Sequence, residues 1–333
     1  GIIFLKKMNI QTLDIKKEIT RAEVHTSLET NFNKLSSDWF MIQQYWLTNA
    51  YAVYRDHEKY LILFYLAKKV FEIYSSHYRI LNWNEFFNIK ALNVGKLSIN
   101  EISRDLKISR ETARRKIAEL IKDTTIIKND SGFILNTKRN IFTRSREFIK
   151  NLCTFLSKTS DILKDKKNIP QSIKSSDFEK TIIKNYSYAW KLWFDRQIPW
   201  LLDRKEIFND LESFHIWALC IQNQNYEVQK YVKSNNLDLK NTSDFFYLHS
   251  TIQKKIGINA MSLSAISNIP RATVIRKLKI LLKKNFLTVD NNKLYHPDTK
   301  FLTSSTALKL NKNAIIGLSS FVTKIVNLNN LSS

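Results

Sequence analysis

Residues 108–120 read ISRETARRKIAEL, residues 269–281 read IPRATVIRKLKIL, and the two stretches lie 161 positions apart. At that offset residues 98–135 fall on residues 259–296 without a gap. Within residues 103–122 eight of twenty positions are identical: Ser103/Ser264, Ile108/Ile269, Arg110/Arg271, Thr112/Thr273, Arg115/Arg276, Lys116/Lys277, Leu120/Leu281 and Lys122/Lys283. No other feature restricts the fold as strongly, because a recurring segment is expected to build one supersecondary unit twice.

Both copies carry the same local signals. In the first, SINE at residues 98–101 is a capping box, in which a Ser hydroxyl and a Glu three residues later satisfy the free amides of a helix start. A short helix is predicted to run to about Leu106. Ser109 then caps a second helix, with Ala113, Ile117, Leu120 and Ile121 on its apolar face and Arg110, Glu111, Arg114 and Arg115 opposite. TIIKNDSGFIL reads as a β-hairpin turning at Gly132. In the second copy Val274, Leu278, Leu281 and Leu282 point inward, while Arg271, Ala272, Ile275, Arg276 and Lys279 point outward. FLTVDNNKLY is its hairpin, with Asn291 and Asn292 suited to a positive φ. Pro270 stands where Ser109 does, so this helix either starts with Pro in its first turn or lacks a side-chain cap. Gly95 and Gly257, which precede the copies, read as helix C-cap residues.

A short helix, a tight turn, a second helix and a hairpin together resemble the winged helix-turn-helix superfamily, and ISRETARRKI resembles the recognition-helix segment of MarR- and Crp-type regulators. The resemblance covers about 40 residues per copy, at about 97–136 and 258–297. It implies a second helix lying in the DNA major groove, with the hairpin wing beside the backbone or minor groove. Carried over to this sequence, the base readers are Arg110, Glu111 and Arg114 in the first copy and Arg271, Ala272 and Ile275 in the second. Thr112 and Thr273 lie among them. Arg115, Lys116, Arg276, Lys277 and Lys279 are expected on phosphates, and Lys128, Asn129 and Lys293 supply wing contacts. With Ala272 and Ile275 in place of charged residues, the second copy is expected to discriminate bases less sharply.

Apolar stripes flank both motifs. Trp39, Ile42, Trp46, Ala50 and Val53 form one within residues 38–54, and residues 57–74 continue as a second helix. Residues 186–194 and 212–222 are their counterparts. Ile141, Phe148, Leu152 and Phe155 follow the first wing, and Ile315, Leu318, Phe321, Val322 and Ile325 follow the second. Helices before and after a winged motif match the order of a MarR-like protomer, whose flanking helices build a dimer interface. The expected fold is mainly α with small β-hairpin wings: two tandem winged-helix units with flanking helices, related by a pseudo-two-fold internal repeat. Residues 1–160 form the first unit, the polar stretch 161–176 with Pro170 a linker, and residues 177–333 the second. A monomeric pseudo-dimer is the expected state, with a homodimer as the alternative.

Composition narrows the chemistry. The formal net charge is +23 and is spread along the chain, which favours a polyanionic partner and above all double-stranded DNA. The five glycines, Gly1, Gly95, Gly132, Gly257 and Gly317, are isolated, so neither a GxGxxG turn nor a phosphate-binding loop is present. The six histidines and the two cysteines, Cys153 and Cys220, show no metal-ligand spacing, and no catalytic constellation stands out. No metal, no cofactor and no enzymatic activity are expected. No apolar run reaches the length of a bilayer crossing, so no membrane partner is expected and a reducing cytoplasm fits. The tryptophans, Trp39, Trp46, Trp83, Trp190, Trp193, Trp200 and Trp217, read as core packing, with a small-molecule effector pocket as the alternative. The leading functional expectation is a sequence-selective transcriptional regulator. The alternatives are a replication initiator built from tandem winged helices and a winged-helix scaffold that grips protein.

Overall fold

The computed structural model describes residues 18–76, 79–138, 146–252 and 255–332. Thr20 opens α1 (Arg21–Tyr54) through a capping box with Glu23. The helix buries Trp39, Ile42, Trp46 and Ala50 but leaves Val53 exposed; it ends a residue later at Tyr54, and Arg55, with a φ of +55°, turns the chain. Asp56 caps α2 (His57–Ile73), accepting from the Glu58 and Lys59 amides at 2.8 and 3.1 Å. After α3 (Trp83–Asn88) come β1 (Ala91–Gly95), α4 (Ile99–Asp105), α5 (Arg110–Lys122), β2 (Ile126–Asn129) and β3 (Gly132–Asn136). The three strands form an antiparallel sheet in the order β1-β3-β2.

α6 (Arg146–Asp165) and α7 (Ser175–Lys184) lead into α8 (Tyr186–Phe208) and α9 (Leu211–Ser234). Asn209 has a φ of +75°, and Asp210 caps α9 through the Ser213 amide at 2.7 Å. Then follow α10 (Thr242–Thr251), α11 (Ala260–Ser267), α12 (Arg271–Lys283), the hairpin β4 (Leu287–Val289) and β5 (Tyr295–Pro297), α13 (Thr299–Leu302) and α14 (Ser305–Ser332). A single bridge, Ile258 to Tyr295, extends the second hairpin.

The long helices of the two halves pack across one another: α2 lies on α8, α9 lies on α1, and α14 lies on both α1 and α8. One continuous apolar cluster runs through them. At its centre Trp46 meets Phe64 at 4.6 Å, Trp193 at 5.5 Å and Trp190 at 5.9 Å between ring centroids. Each such pair adds about 0.5–1.5 kcal/mol beyond its area burial. Phe148, Leu152 and Phe155 of the expected α6 stripe are buried here, as are the five residues expected on α14; Ile141 lies outside the described residues.

The expected linker, residues 161–176, is packed in place. α6 continues to Asp165, Ile169 and Ile173 are buried, and the Ser160 hydroxyl accepts from the Ile173 amide at 2.9 Å. Its polar composition conceals two isoleucines four residues apart that pin it down. Gly95 does not cap a helix but ends β1 with a φ of +85°. Gly257 lies beyond the end of α10, where a β-carbon would come within 2.5 Å of Leu294 Cβ and 2.6 Å of the His296 ring, so close packing and not a helix end requires it. In the second hairpin Lys293, not Asn291 or Asn292, takes the positive φ of 60°.

Candidate nucleic-acid interface

Ser98 and Glu101 form the expected capping box of α4. The chain then turns through Lys107, which has a φ of +51°, and the Ser103 hydroxyl closes the turn by donating to the Ile108 carbonyl at 2.7 Å. Ile102, Leu106 and Ile108 are buried beneath it. Ser109 caps α5 by accepting from the Thr112 amide at 3.0 Å, and it donates to the Thr112 hydroxyl at 2.8 Å. With Ala113, Ile117 and Leu120 buried, helical periodicity turns Arg110, Glu111, Arg114 and Arg115 to solvent; Ile121, expected inside, is exposed. Among the described residues Arg110 and Arg114 form no ion pair, and Arg115 lies 3.6 Å from Glu119. The exposed face of the first two turns of α5 therefore offers the unneutralised guanidinium groups of Arg110 and Arg114.

Beside it, Lys128 and Asn129 are exposed on β2. Asn129 Oδ1 accepts from the Ser131 amide at 3.0 Å and so shapes the hairpin turn. Gly132, with a φ of +122°, is required there, since a β-carbon would lie 2.0 Å from the Gly95 carbonyl oxygen.

α11 and α12 are joined in a similar way. Asn268 has a φ of +61°, and the Ser264 hydroxyl donates to the Ile269 carbonyl at 2.7 Å. Pro270 occupies the N-cap and provides no side-chain bond. Arg271, Ala272, Ile275, Arg276 and Lys279 are exposed and Thr273 is half-buried, as is Thr112 in the first half. Lys293 is exposed on the hairpin turn.

Two of the expected phosphate contacts are placed otherwise. Lys116 is only 8% exposed, and its ammonium pairs with the Asp56 carboxylate at the start of α2. Lys277 is half-buried and pairs with Asp210 at the start of α9, at 2.7 Å. Both lysines fasten their helix to the helical core. The signal was present in the spacing: position 116 is three residues after Ala113 and four before Leu120, on the buried stripe. An acidic helix cap far away in sequence gave no comparable hint.

Sequence reasoning also missed a pair of contacts between the halves. Arg55, at the end of α1, donates to the Asn268 carbonyl in the second turn at 3.2 Å. Lys205, on α8, donates to the Lys107 carbonyl in the first turn at 2.8 Å, and Lys107 itself pairs with Glu206 at 2.6 Å. Each turn is thus held by a cation from the opposite half.

Residues 91–139 match the DeoR-like helix-turn-helix domain. That span takes in β1, α4, α5, β2 and β3, so the first half carries a winged helix-turn-helix DNA-binding motif. The similarity covers about a seventh of the chain. No curated protein and no solved structure matches the chain. Among the described residues no helix is long and apolar enough to cross a membrane.

Proposed function

We propose that the chain is a sequence-selective double-stranded DNA-binding protein, a transcriptional regulator that acts as a single-chain pseudo-dimer with one recognition helix per half and no catalytic step of its own. The observation that carries the reading is the recurrence, 161 residues on, of backbone features that residue identity does not explain. Lys107 and Asn268 are both left-handed in the turn, and Thr124 and Asn285 are both left-handed at the end of the second helix. Ser103 and Ser264 make the same hydroxyl-to-carbonyl bond at 2.7 Å. Exposure along α12 follows that along α5 almost position for position, and Lys116 and Lys277 each reach the aspartate cap of a core helix. Left-handed Lys and Thr are costly conformations, so their coincidence with Asn at matched positions supports a common unit.

In this reading Arg110, Glu111 and Arg114 read one half-site. Arg271, Ala272 and Ile275 read the other less discriminatingly. Arg115, Arg276, Lys279, Lys128, Asn129 and Lys293 hold the backbone. Lys116 and Lys277 are removed from the contact set.

Selection from random duplexes tests this. The expected result is a bipartite motif with unequal halves. Arg110→Ala and Arg271→Ala should each relax one half only, at a cost of about 1–3 kcal/mol where the Arg grips a base. Recovery of no motif, with binding that decays between about 50 and 200 mM salt regardless of sequence, would overturn it.

A further inference from the structure

Two buried arginines have no explanation in a DNA-reading surface. Arg196 and Arg204, about two helical turns apart on α8, are 5% and 6% exposed. The Arg196 guanidinium lies 4.5 Å from the Trp39 ring and 4.9 Å from that of Trp200, and Arg204 lies 4.5 Å from Trp200. Among the described residues neither pairs with a carboxylate. Nearby Asp195 is engaged by Lys191 at 2.7 Å and Lys68 at 3.3 Å, and Asp203 faces Asn313 at 3.5 Å. Stacking on indole faces attracts the cations but supplies no hydrogen-bond acceptor.

The hydrogen bonds that do exist leave a one-sided remainder. Arg196 Nη1 donates to Gln197 Oε1, and Gln197 Nε2 donates to Gln43 Oε1 at 3.0 Å. Among the described residues Arg196 Nε, Arg196 Nη2 and Gln43 Nε2 are left buried without a partner, as is the acceptor Gln44 Oε1. Among the described residues Arg204 reaches only the carbonyls of Trp200 and Leu310, both at 3.4 Å. Nε and Nη2 share the guanidinium edge that takes both oxygens of a carboxylate in parallel. Burial and the adjacent Arg204 charge press the Arg196 guanidinium well below its ordinary range.

Space adjoins these two residues. A groove of about 270 Å³ between α8 and α14 is lined by Arg196, Arg204 and Trp200, together with Asp195, already held by two lysines, and Asp203. Trp200 and Arg204 also line a largely apolar cavity of about 90 Å³ walled by Trp39, Phe214 and Trp217. We propose that this is a binding site for a small carboxylate with an apolar body, the carboxylate held side-on by Arg196 and supported by Arg204, the body packed against Trp200 and the neighbouring indoles. The inference does not rest on the DNA-binding reading.

The experiment uses the full chain without DNA, titrated with phenylacetate and hexanoate, with their amides, and with inorganic phosphate. Tryptophan fluorescence and the Tm are the readouts. At least one of the two acids should give a saturable fluorescence change and raise the Tm, its amide should bind at least tenfold more weakly, and phosphate should not reproduce the effect. Arg196→Met, which keeps the stem and removes the buried charge, should unfold at no lower temperature than the parent and no longer respond. Arg204→Met repeats the test at the second donor in case the first variant fails to fold. Absence of a saturable response to either acid, or amides or phosphate that match the acids, would overturn the proposal. So would an Arg196→Met protein that binds as the parent does, or one that is destabilised when the parent shows no ligand response.

Discussion

The pairing of Lys116 with Asp56 makes an asymmetric prediction. Asp56 caps α2 through two amides at 2.8 and 3.1 Å and at the same time neutralises Lys116, with the two side chains 19% and 10% exposed. Replacing it by Ala removes the cap, about 1 kcal/mol, and strands a mostly buried ammonium. Breaking a fully buried pair costs about 3–5 kcal/mol, and the residual exposure here brings that down to about 2–3 kcal/mol. Asp56→Ala should therefore lose about 3–4 kcal/mol. Lys116→Met keeps the packed stem and leaves a carboxylate still satisfied by two amides, so about 1 kcal/mol or less is expected. The double variant should recover about 2 kcal/mol relative to Asp56→Ala, because no stranded charge remains. Urea unfolding at constant m-value measures all three. Equal losses in the two single variants, or no recovery in the double, would refute the reasoning. A salt-dependence slope of DNA binding that falls by about 0.9 in Lys116→Met would return this lysine to the phosphate contacts.

Three further outcomes follow from the geometry. Gly132→Ala places a methyl group 2.0 Å from the Gly95 carbonyl at a φ of +122°, so the first wing should be disrupted, with loss of the β1-β3 amide protection in hydrogen exchange while the core helices keep theirs. Ser103→Ala and Ser264→Ala should each cost about 1 kcal/mol, read as a lower urea midpoint, since each deletes one turn-closing bond. Burial pushes the His57 imidazole down to about 4 and that of His249 down to about 3, from an ordinary value of 6.5. Folded-state values below the unfolded one mean that the unfolded chain binds the protons. Stability is therefore retained above about pH 6.5 and lost as pH falls towards 4, by about 3 kcal/mol for His57 alone. His249→Phe should move the acid-unfolding midpoint to lower pH.

The winged motif of the first half was legible because its signals are local. The SINE box, Ser109 and the spacing of Ala113, Ile117 and Leu120 each act within two turns of helix, and the turn before Gly132 is marked by its own residues, although the close approach of Gly95 that also requires this glycine is not. The outward face of α5 followed from the same periodicity. Lys116 was misplaced because its chemical type was weighed above its position on the buried stripe, and its partner Asp56 lies 60 residues away. The strand β1 escaped notice because ALNVG has no hairpin partner adjacent in sequence; it pairs with β3 some forty residues on. Gly95 and Gly257 were assigned to helix ends on residue type alone, whereas a strand end and a crowded ring contact decide them. The cross-half grips by Arg55 and Lys205 are set wholly by tertiary placement, as is the isolation of Arg196 from acidic partners, and a pattern read along the chain does not carry that information.

The threading of α1 and α9, and of α2 and α8, through one aromatic cluster has a further consequence. Two separate polypeptides sharing such a cluster would come apart on dilution and would be open to exchange with a mismatched mate. Joined in one chain, the halves meet at a local concentration that expression level does not alter. For the proposed single-chain pseudo-dimer, occupancy of a target would rise with the first power of protein concentration and not with its square. Each half is also free to vary in sequence on its own.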